Sequence, residues 1–242
     1  MDAVFVLVHS PSVGPGTWHP VAEALRARGA TVVVPSLTGV GAAGPPFWPR
    51  VVELVGAAVA GLPADRSVVL VAHSNAGLFV PVVTAATTRP VVGCLFVDAA
   101  LPARRGATAV ATAEDLAFLR EWAVDGLLPP WPAWLDDAEL GPMFPDPATR
   151  AAVEAEAPRL PLSYYEQRIP VPDGWDAQPC GYLLFGPPYE QVAHEAAARG
   201  WAVERIPGRH LHLLVDPGGV AARIAGMART WSPPSSPAGA RA

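Results

Sequence analysis

The chain has 242 residues, 51% of them hydrophobic, and a formal net charge of −5. That apolar content lets one α/β domain of this length bury a large core, and the unclustered basic residues point away from nucleic acid and from an anionic membrane. All 17 basic residues are arginines, so the sequence has no lysine for a Schiff base, which excludes pyridoxal-phosphate and lysine-aldolase chemistry.

The chain opens at Met1-Asp2 and enters a strand at once, without a basic or apolar leader, so no signal peptide and a cytoplasmic location are expected. No apolar run of bilayer-spanning length is free of Gly, Pro, His or charge. Val4 to Val8 is a continuous apolar run, the mark of a strand buried on both faces of a parallel sheet. It ends in the turn-rich loop His9-Ser10-Pro11-Ser12-Val13-Gly14-Pro15-Gly16. Trp18, Val21, Ala22 and Leu25 then fall at helical spacing, with Gly29 as the stop. Thr31 to Val34 reads as a second strand and Phe47 to Leu62 as a second helix.

Val68 to Val71 is a β-branched run that stops at Ala72-His73-Ser74-Asn75-Ala76-Gly77, and a helix-compatible run follows from Leu78. Strand, sharp turn and helix with one hydroxyl at the apex match the small-x-Ser-x-small pattern of a nucleophile elbow. Small residues are needed there because the strained serine backbone brings strand and helix close together. Glycine is usual at both flanking places, where this chain has Ala72 and Ala76. The competing interpretation is an ordinary turn whose serine caps the helix.

Val91 to Val97 is a further buried strand that ends at Asp98. Residues 103 to 178 break the strand–helix alternation, with many prolines, helical pieces near Thr112 to Trp122 and Pro147 to Ala157, and Trp122, Trp131, Trp134, Tyr164, Tyr165 and Trp175. This segment is expected to fold over the strand ends as a lid. Most of its aromatics would form its own core, and some, with Trp131 and Tyr164 put forward as substrate contacts, would face the cleft. Gly181 to Phe185 and Ala202 to Ile206 are the last strands, with helices over Glu190 to Arg199 and Pro217 to Thr230. Cys94 and Cys180 lie in strand-like runs, are expected as free buried thiols, and show no metal-ligand spacing. Residues 232 to 242, rich in Pro, Ser, Gly and Ala, are expected to be a disordered tail.

Taken together, the His9 loop, the Ser74 elbow and Ile206-Pro207-Gly208-Arg209-His210 followed by Asp216-Pro217 resemble the α/β-hydrolase superfamily over nearly the whole chain. The start at the strand that bears the oxyanion loop is similar to the compact branch of small esterases, plant methyl-ester esterases and hydroxynitrile lyases. The resemblance implies an α/β-hydrolase fold: a mostly parallel sheet of about six strands flanked by helices, with core residues 1–102 and 179–231 and a helical lid at 103–178. It implies Ser74 as nucleophile and His210 as base, His212 being the competing histidine. Asp98 is preferred as the acid, because an unpaired carboxylate ending a buried strand is costly and pairing with His210 would satisfy it. The commoner acid position lies in Gly186-Pro187-Pro188-Tyr189-Glu190, which holds no aspartate, so Glu190 is the alternative.

An oxyanion hole of this family would use the N–H of Asn75 and one from the loop after His9. Here that loop reads His9-Ser10-Pro11, and proline has no N–H. Ser10 Oγ and the N–H or hydroxyl of Ser12 are the substitutes. Hydroxynitrile lyases are similar in carrying a hydroxyl residue in place of the glycine, but depend on a lysine absent here. The leading expectation is a cofactor-free serine hydrolase for a small apolar ester, thioester or lactone. The alternatives are a triad used for C–C cleavage, rearrangement or cyclisation, and a catalytically silent binder of a small molecule.

Overall fold

In the computed structural model, which describes residues 3–231, a six-stranded parallel sheet carries the chain. Its strands are β1 (Val4–Val8), β2 (Val32–Val33), β3 (Val68–Ser74), β4 (Val91–Ala99), β7 (Cys180–Leu184) and β8 (Ala202–Arg205), in the order β2-β1-β3-β4-β7-β8. The two missing numbers, β5 (Gly106–Ala109) and β6 (Arg168–Val171), pair with each other as a separate antiparallel ribbon. The anticipated tail at 232–242 lies outside the described residues.

The central strands are buried on both sides, which is why they read as unbroken apolar runs. Val4, Val6 and Val8 of β1 join Val68, Leu70 and Ala72 of β3 in one core layer. There they meet α2 (Trp48–Ala60), α3 (Val80–Ala86) and α8 (Glu190–Ala198) through Val51, Val55, Val59, Val82, Val83, Ala193 and Ala196. Phe5, Leu7, Val69 and Val71 point the other way, onto α1 (His19–Arg26) and α10 (Pro217–Ala228) through Val21, Leu25, Val220 and Ile224. Each such fully buried side chain contributes roughly 1.5–3 kcal/mol relative to exposure, so the alternation fixes the register. Val4 to Val8 accordingly sit opposite Val68 to Ala72.

Residues 103–178 contain α4 (Ala113–Trp122), α5 (Asp137–Leu140), α6 (Pro147–Glu156) and α7 (Leu162–Glu166). Three of these begin with a side-chain cap: Thr112 with Asp115 forms a capping box, and Asp136 and Asp146 accept from Glu139 N and Thr149 N. The β5–β6 ribbon, not foreseen from the sequence, holds the two ends of the segment side by side. Glu156 at the end of α6 accepts the N–H of Gly16 at 2.8 Å, tying the segment to the loop after β1.

In a sheet wound this way the crevice opens at the carboxyl ends of the strands, where the crossover direction reverses. The chain leaves β1 for the edge strand β2 and returns on the other side of β1 as β3. The loops after β1, β3, β4, β7 and β8 therefore converge on one place.

Candidate active site

Ser74 is the last residue of β3 and has φ 59° and ψ −134°. A non-glycine residue in that region is strained and is held there by its surroundings. Ala100 N donates to Ser74 O at 3.0 Å, and Asn75–Phe79 follow as 3-10 turns before α3 begins. The tightest approach behind the turn is at Gly77, where an added Cβ would stand 2.1 Å from the carbonyl oxygen of Ala100. The steric demand thus falls most heavily on Gly77, and the elbow accommodates alanine at 72 and 76.

Asp98 also has a positive φ, 42°, which turns its side chain back under the strand ends. It is fully buried, and both carboxylate oxygens are satisfied. Phe185 N donates to Oδ1 at 2.9 Å, and His210 Nδ1 donates to Oδ2 at 2.7 Å. With its proton on Nδ1, His210 presents a lone pair at Nε2, which accepts the Ser74 hydroxyl at 2.9 Å. Ser74, His210 and Asp98 therefore form one hydrogen-bonded chain. Such a chain can draw a proton from a hydroxyl and hold the resulting imidazolium against a buried carboxylate.

Three rings fix the imidazole of His210. His73 stacks on it with centroids 4.5 Å apart, Tyr189 at 5.1 Å with planes 14° from parallel, and Trp131 meets it edge-on at 6.1 Å. His73 Nε2 also donates to the carbonyl of His210 at 2.9 Å. Burial, and then the neighbouring His210, hold the His73 imidazole well below its ordinary pKa, so it is neutral. Tyr189 lines the same cavity as Ser74, and desolvation pushes its phenol up to about 12.

Ser74 opens onto a cavity of about 170 Å³ lined by Ser10, Ser12, Trp131, Trp134, Tyr165 and Tyr189, among others. Ser12 N donates to Ser10 Oγ at 3.2 Å, which leaves the Ser10 hydroxyl proton unused by that bond. Ser12 Oγ pairs with the Tyr165 hydroxyl at 3.0 Å. Asn75 borders the cavity, and its side-chain Oδ1 accepts from the hydroxyl of Tyr164. A second apolar cleft, about 250 Å³, shares Trp134 and Tyr165 as a common wall and is lined by Val110, Phe118 and Leu119.

Of the residues put forward from the sequence, Ser74, His210, Asp98, Asn75, Ser10, Ser12 and Trp131 come together. Five others, His9, Pro11, Tyr164, Glu190 and His212, do not line the cavity. His9 is fully buried: its Nδ1–H donates to Ser10 O at 2.8 Å and its Nε2 accepts Leu37 N at 2.9 Å, so it pins the loop from below. Burial lowers its pKa to about 4. Pro11 does not line the cavity, and Tyr164 faces Asn75 while its neighbour Tyr165 faces the cleft. Glu190 is on the surface, paired with Arg205 at 2.8 Å. His212 packs against Phe185 at 5.5 Å rather than against the elbow. His73, Tyr165, Trp134 and Tyr189 were not anticipated. Tyr189 carried a usable signal in its position, the loop where this family's acid is expected, but not in its chemistry, since a phenol is uncharged there. Among the described residues, no three or more His, Cys, Asp or Glu side chains are grouped to hold a metal ion.

A six-stranded parallel sheet with a strained serine after one strand and a histidine loop after another is the layout of the alpha/beta hydrolases, and the model of that family matches residues 5–223. The chain belongs to the alpha/beta hydrolase family. Its backbone is similar to that of an extracellular alpha/beta-hydrolase from a Paenibacillus species (TM-score 0.70, 19% identity, 93% of this chain and 98% of that one). It is also similar to tomato methylketone synthase I, solved as an H243A variant with beta-ketoheptanoate (0.73, 17%, 96% and 99%), and to polyneuridine aldehyde esterase (0.71, 16%, 94% and 100%). At these identities the likeness concerns the fold. No curated protein sequence matches the chain.

Proposed function

We propose that the protein is a serine hydrolase for small, apolar acyl substrates: esters, thioesters or lactones. The observation that carries this reading is the unbroken hydrogen-bonded chain from Ser74 Oγ through His210 to the buried Asp98. In the reaction, His210 Nε2 takes the Ser74 proton as Oγ attacks the carbonyl carbon, and then passes it to the leaving group. Water enters by the same route in reverse and frees the acid. Asn75 N–H and the Ser10 hydroxyl proton are the donors for the developing oxyanion; Ser10 takes over where Pro11 has no N–H. Residues 103–178 act as the lid, supplying Trp131, Trp134 and Tyr165 as apolar walls that hold the acyl group and exclude water. The second cleft behind Trp134 and Tyr165 offers room for a longer apolar chain. The protein is placed in the cytoplasm in this reading.

A panel of p-nitrophenyl and methyl esters of increasing acyl length tests the proposal. The wild type is expected to hydrolyse short and medium chains, Ser74→Ala none, and Ser10→Ala with kcat lowered about 10²-fold at nearly unchanged KM, as for loss of one oxyanion donor. Hydrolysis that survives in Ser74→Ala would reject it. One observation favours a second reading, non-hydrolytic cleavage or rearrangement by the same residues: the missing N–H at Pro11, which weakens the site for hydrolysis. Recovery of products without incorporated water from a carbonyl substrate would select that reading.

A further inference from the structure

Two spaces lie side by side under residues 103–178. The one at Ser74 is about 170 Å³ and the other about 250 Å³. Trp134 and Tyr165 are the two side chains that line both. Their rings meet at 5.6 Å with planes 52° apart and form the wall between the spaces. Both rings are tied in place. Trp134 ends the 3-10 turn Trp131–Trp134, and its Nε1–H donates to Pro129 O at 2.9 Å. Tyr165 is buried on α7, stands edge-on to Tyr164 at 4.9 Å, and pairs its hydroxyl with Ser12 Oγ at 3.0 Å. Beyond the wall the second space is lined by Val110, Ala111, Phe118 and Leu119, with Asp115 as its one charged group. It opens outward at Phe118, which is 48% exposed.

The wall stands on the acyl side of the scissile bond. His210 Nε2 must reach the leaving oxygen, so the leaving group lies beside His210, where Tyr189 stacks on the imidazole. Trp134 and Tyr165 instead touch each other and, through Tyr165, the loop after β1. We propose that Trp134 and Tyr165 are specificity-determining residues, whose rings stop an aliphatic acyl chain at the end of the first space and restrict the enzyme to short and medium chains. The proposal rests on the reading of Ser74 as the nucleophile and narrows the substrate within it. A longer chain meets two fixed rings and can pass only by breaking the bond from Trp134 to Pro129 or from Tyr165 to Ser12. With the wall removed, the chain runs on into the second space, where each further methylene leaves water.

Trp134→Ala opens the wall and keeps the bond between Tyr165 and Ser12. The measurement is kcat/KM for p-nitrophenyl decanoate divided by kcat/KM for p-nitrophenyl butyrate, a ratio in which a general loss of activity cancels. The ratio is expected to rise about 10²-fold, the gain from burying about three or four more methylenes. Tyr165→Leu opens the wall from its other half and should move the ratio the same way, which keeps the test intact where Trp134→Ala does not fold. Ala111→Phe added to Trp134→Ala refills the second space and should return the ratio towards the wild-type value. An unchanged ratio in the folded single variants, or a rise that survives Ala111→Phe, would overturn the proposal. Alkyl acetates of increasing length vary the leaving group instead. A shift among these and not among the acyl esters would put the wall on the wrong side of the scissile bond and also overturn it. Ser74→Ala separates the two claims. Ester hydrolysis that persists in that variant rejects the nucleophile and the wall's role with it, whereas Ser74-dependent hydrolysis with an unchanged ratio rejects only the role of the wall.

Discussion

Asp98 and Glu190 were the two carboxylates between which the sequence left a choice, and their surroundings differ sharply. Asp98 is fully buried with a donor on each oxygen, while Glu190 is about half exposed and shares its charge with Arg205. A carboxylate that ends a buried strand needs partners, which is why Asp98 could be singled out from sequence. Removing its charge in Asp98→Asn is expected to lower kcat about 10⁴-fold by favouring the wrong imidazole tautomer, while Glu190→Gln stays near wild type. Steady-state kinetics of the two variants check this, and the reverse pattern would move the acid role to Glu190. Other side chains gave no such clue. Tyr164 and Tyr165 are adjacent on a helix of five residues, and which of them faces the cleft depends on where the segment docks. Tyr189 brings a stacked ring to His210 from a loop where a charge was the expected feature.

At the level of elements, the strands of the main sheet were readable because burial on both faces writes a continuous apolar run into the sequence. The elbow was readable because a strained serine demands small neighbours. Its tightest contact was not, since the approach of Gly77 to Ala100 O depends on how β4 passes behind the turn. An added methyl there meets backbone that cannot step aside. Gly77→Ala is therefore expected to cost about 1–3 kcal/mol, or a fall of several degrees in thermal midpoint at this chain length. Calorimetry measures it directly, and an unchanged midpoint would show that the turn has slack. The β5–β6 ribbon escaped notice for the opposite reason. Gly-Ala-Thr-Ala has no large apolar side chain and none of its residues is fully buried, while Arg-Ile-Pro-Val alternates over only four residues and contains a proline.

Across the whole molecule, two buried neutral histidines beneath the site link folding to pH. His9 titrates near 4 and His73 is also held well below 6.5, each chiefly by burial. The unfolded chain takes up these protons as pH falls below about 6.5, while the folded chain does not, so it is the unfolded state that binds more protons. Stability is therefore fully present above that pH and declines as it drops towards 4, by about 3 kcal/mol for His9 alone. Urea midpoints at pH 7 and pH 5.5, where ordinary carboxylates stay ionised and the unfolded histidines are mostly protonated, should show the onset of the decline, and equal midpoints would contradict it. The account as a whole stands on Ser74 being a nucleophile activated by His210. Labelling with a fluorophosphonate probe, followed by peptide mass mapping, tests that most directly. The predicted result is a single adduct on Ser74 in the wild type, none in Ser74→Ala, and labelling slowed at least ~10³-fold in His210→Ala. An unlabelled Ser74 in folded protein, or equal labelling without His210, would contradict it.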